Sequence, residues 1–379
     1  MMDDAPNPAL LPAGLSDVLP PHAETEAHAI ETMAGVFAAH GFQRVKPPLL
    51  EFEEGLLSGS GAATAEQTFR LMDPVSQRMM GLRADITPQV ARIAATRLAA
   101  APRPLRLSYS GQVLRVRGTQ LQPARQFAQA GIELLGPDSF EADGEVIAVG
   151  AEALAAVGVA DLSVDITLPT MAALIVEAAG LDPEAARALY HALDRKDAAA
   201  VRAGSGNQAA LLGALLQAAG PAEPALAALG RAPLPEACRG LADRAAATIG
   251  AVRARNPDVT LTLDPLEFRG WRYHREVAFS IFARESGEEL GRGGRYLGAG
   301  DEPATGLTLY PDAVLRAAPA RSTRARCYLP WGHDGAAASG LREGGFATVA
   351  ALAPDAEPEA EAKRLLCTHI LRATQAIAL

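Results

Sequence analysis

The stretch from Leu114 to Glu133 constrains this 379-residue chain more than any other. It opens Leu114-Arg115-Val116-Arg117, turns around Pro123 and resumes as Arg125-Gln126-Phe127-Ala128-Gln129-Ala130-Gly131-Ile132-Glu133. Successive side chains on a strand point to opposite faces. Phe127, Gln129, Gly131 and Glu133 therefore share one face, and Gln126, Ala128, Ala130, Ile132 and Leu134 form the other, largely apolar one. The apolar face has to pack on helices. On the first face Gln129 and Glu133 project together, with Gly131 leaving space between them. A carboxylate on a central strand is costly to bury unless a cation or hydrogen-bond donors meet it. Two arrangements satisfy that demand: a ligand pocket, or an internal ion pair between Glu133 and an arginine such as Arg115, Arg125 or Arg269.

Composition narrows the class of molecule. A formal net charge of -9 and a pI near 5.4 argue against a sequence-independent grip on nucleic acid, which needs a basic face. Cys238, Cys327 and Cys367 are scattered and odd in number. Neither a disulfide framework nor a zinc cluster is indicated, and no metal or cofactor is expected. There is no run of about 18 uncharged apolar residues, so no membrane span is expected. The start, Met1-Met2-Asp3-Asp4-Ala5-Pro6, lacks the basic lead and apolar core of a secretory signal, which points to the cytoplasm.

Punctuation divides the rest. A helix is expected from about Pro21 to His40, with Gly41 as its C-cap, followed by an extended segment from Phe42 to Glu51. Pro47-Pro48 keeps that segment from a central, fully paired position. Leu82-Arg83-Ala84-Asp85-Ile86-Thr87-Pro88-Gln89 reads as a helix start, with the Thr87 hydroxyl capping free amides and Pro88 in the first turn. Val90, Ile93, Ala94 and Leu98 then face the core. Residues from about Thr170 to Pro257, rich in Ala and Leu and punctuated at Asp182-Pro183 and Gly220-Pro221, read as an all-helical insertion. Strands return at Val259–Asp264 and Glu276–Phe282, followed by a Gly-rich turn, Gly291-Arg292-Gly293-Gly294-Arg295-Tyr296. From Arg321 onward a small α/β piece is expected, with strands at Arg326–Pro330 and Gly345–Ala350 and a helix from Glu359 to Leu371. The domain division that follows is 1–169, 170–257, 258–320 and 321–379.

The order of these strings resembles the class II aminoacyl-tRNA synthetases in their histidyl-tRNA synthetase version, from about Leu10 to Arg316. The segment 21–51 is similar to the first class II motif, which builds the dimer interface in that family. Residues 114–133 are similar to the second motif, in which an Arg-x-Glu unit holds ATP: the Arg to the α-phosphate, the Glu to the adenine amino group. Arg115 matches the Arg, but Arg117 stands at the Glu position. A guanidinium has donors only and cannot accept from that amino group. The family's Gly-Arg-Tyr-Arg-Gln-Phe turn is Gln122-Pro123-Ala124-Arg125-Gln126-Phe127 here, with a proline for one arginine. Where the third motif has Gly-x-Gly-x-Glu-Arg, this chain has Gly306-Leu307-Thr308-Leu309-Tyr310-Pro311. Pro311 brings neither charge nor a side-chain donor, so adenylate formation loses electrostatic and positioning contributions together.

The amino-acid side of the resemblance is better kept. Asp85 falls at the carboxylate that contacts the amino group of bound histidine in the family's Leu-Arg-Pro-Glu-x-Thr string; the plainer reading is a turn aspartate ahead of a capped helix. Phe268-Arg269-Gly270-Trp271-Arg272-Tyr273-His274 and Gly293-Gly294-Arg295-Tyr296-Leu297 resemble the two histidine-family strings, with Arg272, His274 and Leu297 as departures. Spacing and family match together favour the ligand pocket.

A synthetase scaffold with broken ATP motifs and no full anticodon domain resembles the regulatory subunits of ATP phosphoribosyltransferase. Their Asp-(Met/Ile)-Thr-Pro-Gln-Val-Ala-Arg string is matched by residues 85–92. The resemblance implies an α+β fold: a class II synthetase-like antiparallel sheet flanked by helices, with a helical insertion and a small C-terminal α/β segment. It implies a non-catalytic role in the first step of histidine biosynthesis and in its feedback inhibition by histidine. The implied histidine-binding residues are Asp85, Thr87, Arg115, Gln129, Glu133, Arg269 and Tyr273, with no catalytic residue. The implied partner is a short-form ATP phosphoribosyltransferase catalytic subunit in a hetero-octamer. The chain by itself is expected to be a dimer, with no tRNA and no membrane. The rival readings are a divergent histidyl-tRNA synthetase and a free-standing histidine-binding paralogue with another partner.

Overall fold

The computed structural model describes residues 9–118, 123–268, 274–320 and 323–379. The chain divides into two compact units, Met1–Pro319 and Ala320–Leu379.

The first unit is built on a nine-stranded sheet. Its strands run, edge to edge, Gln43–Arg44, Leu105–Leu114, Gln126–Leu135, Pro303–Leu309, Glu288–Leu297, Arg275–Ala283, Leu162–Thr167, Thr260–Asp264 and Gly220–Pro221. The six central strands are antiparallel to their neighbours, whereas Gln43–Arg44 and Thr260–Asp264 pair in parallel. The expected α+β architecture is present, with a sheet antiparallel in its centre and mixed toward its edges.

The alternation read in residues 126–134 decides what covers each face. Ala130, Ile132 and Leu134 are buried in one core with Met33 and Phe37 of the His22–Ala39 helix and Val146, Ile147 and Leu154 of the Phe140–Val157 helix. Burying each large aliphatic side chain contributes about 1.5–3 kcal/mol, which locks the strand's register against a one-residue slip. The Phe140–Val157 helix starts where the Ser139 hydroxyl accepts from the Ala142 amide and ends at Gly158 in the left-handed region, φ 99°. Phe127 falls in a separate core with Leu107, Tyr109 and Tyr296, on the other face.

The Gly-rich string is not a turn. Gly291 to Tyr296 lie inside the Glu288–Leu297 strand, paired on both sides. The glycines are there for close approach: a Cβ on Gly293 would sit 2.1 Å from the Gly306 carbonyl oxygen. Pro47-Pro48 does interrupt the chain as expected. The residues before it join the large sheet, and Leu50–Phe52 moves to a three-stranded sheet with Met79–Leu82 and Arg70–Met72.

Between Met171 and Arg255 the chain forms six α-helices, including Pro183–Asp194, whose start is capped by the Asp182 carboxylate accepting from the Glu184 and Ala185 amides at 2.9 Å. The segment is not wholly helical. Gly220–Pro221 pairs with Thr262 and Leu263 as a sheet edge, a place where a residue lacking an amide hydrogen is tolerated. In the second unit, Ala347–Ala350, Arg326–Leu329 and His369–Arg372 are parallel neighbours, and Gln375–Ala378 closes an antiparallel hairpin. The expected helix to Leu371 is shorter, Pro358–Arg364. Leu366 turns into the left-handed region, φ 55°, and Ile370 and Leu371 are buried as strand residues on opposite faces of the small sheet. Among the described residues no helix is long and apolar enough to cross a membrane.

Candidate functional site

The open face of the Gln126–Leu135 strand holds an acid that solvent does not reach. Glu133 has no exposed surface, and Gln129 on the same face is 1% exposed. Register explains who surrounds Glu133. It pairs with Leu107 on one side and Gly306 on the other, and a Cβ at Gly306 would fall 1.9 Å from Glu133 Oε2. Two positions away, Gly131 pairs with Tyr109 and Thr308. The gap expected at Gly131 is filled by the Tyr109 phenol, whose oxygen lies 2.5 Å from where a Cβ would be.

Hydroxyls meet the carboxyl. Thr87 Oγ1 donates to Glu133 Oε1 at 2.9 Å and the Tyr296 hydroxyl to Oε2 at 2.8 Å. Tyr109 joins Thr87, at 3.1 Å, to Thr308, at 2.7 Å. Of the arginines that could pair with it, neither Arg115 nor Arg125 bonds Glu133, and Arg269 lies outside the described residues. Burial raises the Glu133 pKa to about 8; the Tyr296 and Thr87 hydroxyls oppose the shift, and the charge of Asp85 adds to it.

Thr87 does not cap its helix. Thr87–Thr96 starts with Pro88 in its first turn and has no side-chain cap, because the Thr87 hydroxyl is directed across to Glu133 and Tyr109. Asp85, also buried, accepts from the Thr87 amide at 3.4 Å and from the Gln129 amide group, whose Oε1 in turn accepts from the Ile86 amide at 3.1 Å. Burial raises the Asp85 pKa, opposed by the nearby Arg115 charge. Arg83 fixes this segment from behind, donating to the Gln112 and Pro47 carbonyls at 2.8 and 3.0 Å. Asp85, Thr87, Gln129 and Glu133 are thus brought together, with Arg115 on the Asp85 side. Arg269 and Tyr273 lie outside the described residues, as do Arg272 and Gln122.

The narrow cleft in front of Glu133 is lined further by His274, Arg292, Tyr296 and Thr308. Burial and the Arg292 charge push the His274 imidazole down to about 3, so it is neutral. Tyr296, Tyr109 and Thr308 were not among the expected site residues. Tyr296 stood in the Gly-Gly-Arg-Tyr string and could have been taken from there; Tyr109 and Thr308 are placed only by strand register.

The positions matched to nucleotide contacts are differently occupied. Arg117 is exposed. Pro311 is buried as the first residue of the Pro311–Ala317 helix. Tyr310 packs edge-on against Phe127, centroids 6.4 Å apart, and the Arg115 guanidinium lies 4.7 Å over the same ring. Arg125 donates to the Arg115 and Ala13 carbonyls at 3.2 and 3.1 Å. Among the described residues no group of three or more His, Cys, Asp or Glu side chains could hold a metal ion.

A central antiparallel sheet with an acid-lined, hydroxyl-lined pocket on its open face defines a protein of the class II aminoacyl-tRNA synthetase type, and the histidyl-tRNA synthetase family model matches residues 14–314. The fold is similar, with a TM-score of 0.79 at 24% identity, to an ATP phosphoribosyltransferase regulatory subunit/histidyl-tRNA synthetase from Bacillus halodurans, covering 95% of this chain and 97% of that one. Sequence narrows the assignment. The chain is 54% identical to the ATP phosphoribosyltransferase regulatory subunit of Paramagnetospirillum magneticum over 98% of both chains. It is 53% identical to that of Gluconobacter oxydans over 98% and 97%. It belongs to the ATP phosphoribosyltransferase regulatory subunit family.

Proposed function

We propose that this chain is a non-catalytic regulatory subunit that joins a short-form ATP phosphoribosyltransferase catalytic chain, supports the first step of histidine biosynthesis and makes that step sensitive to histidine. The observation that carries this reading is the contrast within one site. Asp85, Gln129 and Glu133 are buried and mutually arranged, while Pro311 and Arg117 stand where nucleotide contacts would be needed. Such a pocket holds an amino acid and performs no adenylation. The histidine set is Asp85, Thr87, Arg115, Gln129 and Glu133, completed by Arg269 and Tyr273. The chain dimerises, enters a hetero-octamer with its catalytic partner in the cytoplasm and does not use tRNA. The helices of 170–257 and the segment 321–379 are appendages to the core formed by 1–169 and 258–320.

Histidine bound here regulates the partner if its affinity differs between two states of the complex; couplings of about 1–3 kcal/mol are typical and give moderate, saturable inhibition. The test is to co-express the two chains, purify the complex and assay phosphoribosyl transfer with and without histidine. The expected result is a partner that is weakly active alone and active but histidine-sensitive in the complex. A short catalytic chain equally active and equally histidine-sensitive by itself refutes the assignment.

A further inference from the structure

The helical insertion grips one connection of the core at both ends. That connection joins the Thr260–Asp264 strand to the Arg275–Ala283 strand and carries His274, which lines the cleft. At its start, Lys196 Nζ pairs with the Asp264 carboxylate and lies 3.8 Å from Glu267. Tyr190 packs edge-on against Phe268 there, centroids 5.7 Å apart. Both are insertion residues, Tyr190 in the Pro183–Asp194 helix and Lys196 in the turn that ends it. At the other end, Arg244 of the Glu236–Arg255 helix brings Nη1 within 2.9 Å of the Glu276 carboxylate. Arg244 also donates from Nε to Asp143 at 3.1 Å and pairs with Asp138 at 2.9 Å.

Arg295 joins the same acids to the cleft. It donates to Asp143 at 2.9 Å and lies 3.1 Å from Asp138 and 3.7 Å from Glu276. Alternation along the Glu288–Leu297 strand puts Arg295 on the helix side and Tyr296 on the cleft side, against Glu133. Ion cluster and cleft sit back to back across one strand.

Two backbone outliers mark the ends of this hold. Lys196, φ 53°, and Glu276, φ 57°, both occupy the left-handed region. Lys196 follows the C-cap Arg195, at a helix end where glycine is the ordinary choice. Glu276 stands in a bulge, where register slips between Arg275, paired with Arg295, and Ala278, paired with Gly294. Bulges re-aim side chains, and this one delivers the Glu276 carboxylate to Arg244. A glycine would suit either backbone better and could make neither contact. Such strain persists only where the surroundings impose it, and it gathers at functional sites.

We propose that Lys196 and Glu276 are positioning residues through which the helical insertion sets the geometry of the cleft, and with it the affinity for histidine. Lys196 fixes one end of the connection that carries His274, and Glu276, held by Arg244, fixes the other. Arg295 extends the hold to the strand of Tyr296. Binding in the cleft and placement of the insertion are then linked, and such linkage is reciprocal. Whatever moves the insertion changes the affinity of the cleft, and an occupied cleft restrains the insertion. The affinity clause rests on the histidine reading of the pocket, and the test separates the two.

The experiment uses two variants of the full chain, Lys196→Gly and Glu276→Gly. Each removes its contact and relieves its backbone, so urea unfolding is expected at or above the wild-type midpoint. Calorimetric titration with L-histidine is expected to show each variant binding about fivefold or more weakly, the lower end of couplings between sites. A contact that only stabilises the fold would move the urea midpoint and leave the affinity of the folded protein alone. Wild-type affinity in either variant, or a midpoint lowered in step with affinity, overturns the proposal and leaves the histidine pocket standing. If the wild-type chain binds no histidine, the histidine reading falls, and hydrogen exchange of the ligand-free proteins decides the hold on the cleft. Faster exchange along Glu288–Leu297 in both variants, at an unchanged urea midpoint, upholds it. Unchanged exchange there overturns it.

Discussion

Replacing Glu133 by Gln should make the protein more stable at neutral pH while removing the acid proposed to meet histidine. The folded state holds the Glu133 carboxyl at about 8, against an ordinary value of 4.5. A carboxyl whose folded pKa is raised contributes stability that is fully present below the unfolded value and is lost as pH rises through the folded one. The window is therefore pH 4.5 to about 8. Its full depth is the 3.5-unit difference, 8 minus 4.5, at about 1.4 kcal/mol per unit, or about 5 kcal/mol, of which about 3 kcal/mol is lost by pH 7. Gln is nearly isosteric and never ionises. Its carbonyl can accept from the Tyr296 hydroxyl, and its amide can donate to Thr87, whose hydroxyl turns toward Tyr109 3.1 Å away. Thermal unfolding of wild type and variant across this range should show nearly equal midpoints at the acid end. The gap should widen with pH in favour of Glu133→Gln, and taking the difference cancels every titration the two proteins share. A gap that does not change with pH, or a variant that weakens as pH rises, refutes the reasoning.

Three further outcomes are expected. Gln129→Ala removes the side chain that joins Asp85 to the Ile86 amide, and losing a buried charge-assisted contact costs about 1.5–3 kcal/mol, so calorimetry should show histidine affinity reduced tenfold or more with the fold retained. The purified chain should catalyse no histidine-dependent ATP–pyrophosphate exchange above a no-enzyme control, since Pro311 and Arg117 replace the groups that adenine needs. Arg295→Met removes a guanidinium that donates to Asp143 at 2.9 Å and to the Ser139 carbonyl at 2.8 Å in a buried cluster, and urea unfolding should register a loss of about 3–5 kcal/mol, because Asp143 stays buried with one cation fewer.

Much of the site was legible because a strand's faces follow from counting by two. Ala130, Ile132 and Leu134 could be assigned to the helix-covered side, and Gln129 and Glu133 to the other, with nothing beyond the sequence. Counting along one strand says nothing about its neighbours. That Tyr109 fills the gap beside Gly131, and that Thr308 joins it, depends on register between strands far apart in the chain. Thr87 shows the same limit on a helix. A threonine before a proline has good local reasons to cap, and a buried acid 46 residues away won its hydroxyl. The string from Gly291 to Tyr296 misled for a related reason: glycine marks a turn when judged locally, but here it marks where neighbouring backbone approaches too closely for a side chain. At Leu366 to Leu371, helix-compatible composition lost to a strand position that buries Ile370 and Leu371.

The amino-acid side and the nucleotide side of the site, as proposed, rest on different supports. Glu133 sits in a hydroxyl cluster drawn from three other strands and a helix: Tyr109, Tyr296 and Thr308 from the sheet, and Thr87 from the Thr87–Thr96 helix. Any one of these hydroxyls lost leaves a buried polar group short of a partner, at about 1–3 kcal/mol each, so the arrangement resists piecemeal change. The nucleotide half has no such interlock. Arg117 is exposed, and Pro311 suits the first turn of its helix better than most residues would. Substitution at those two positions is therefore expected to disturb the fold far less than substitution around Glu133, which is what the proposed regulatory use of the pocket requires.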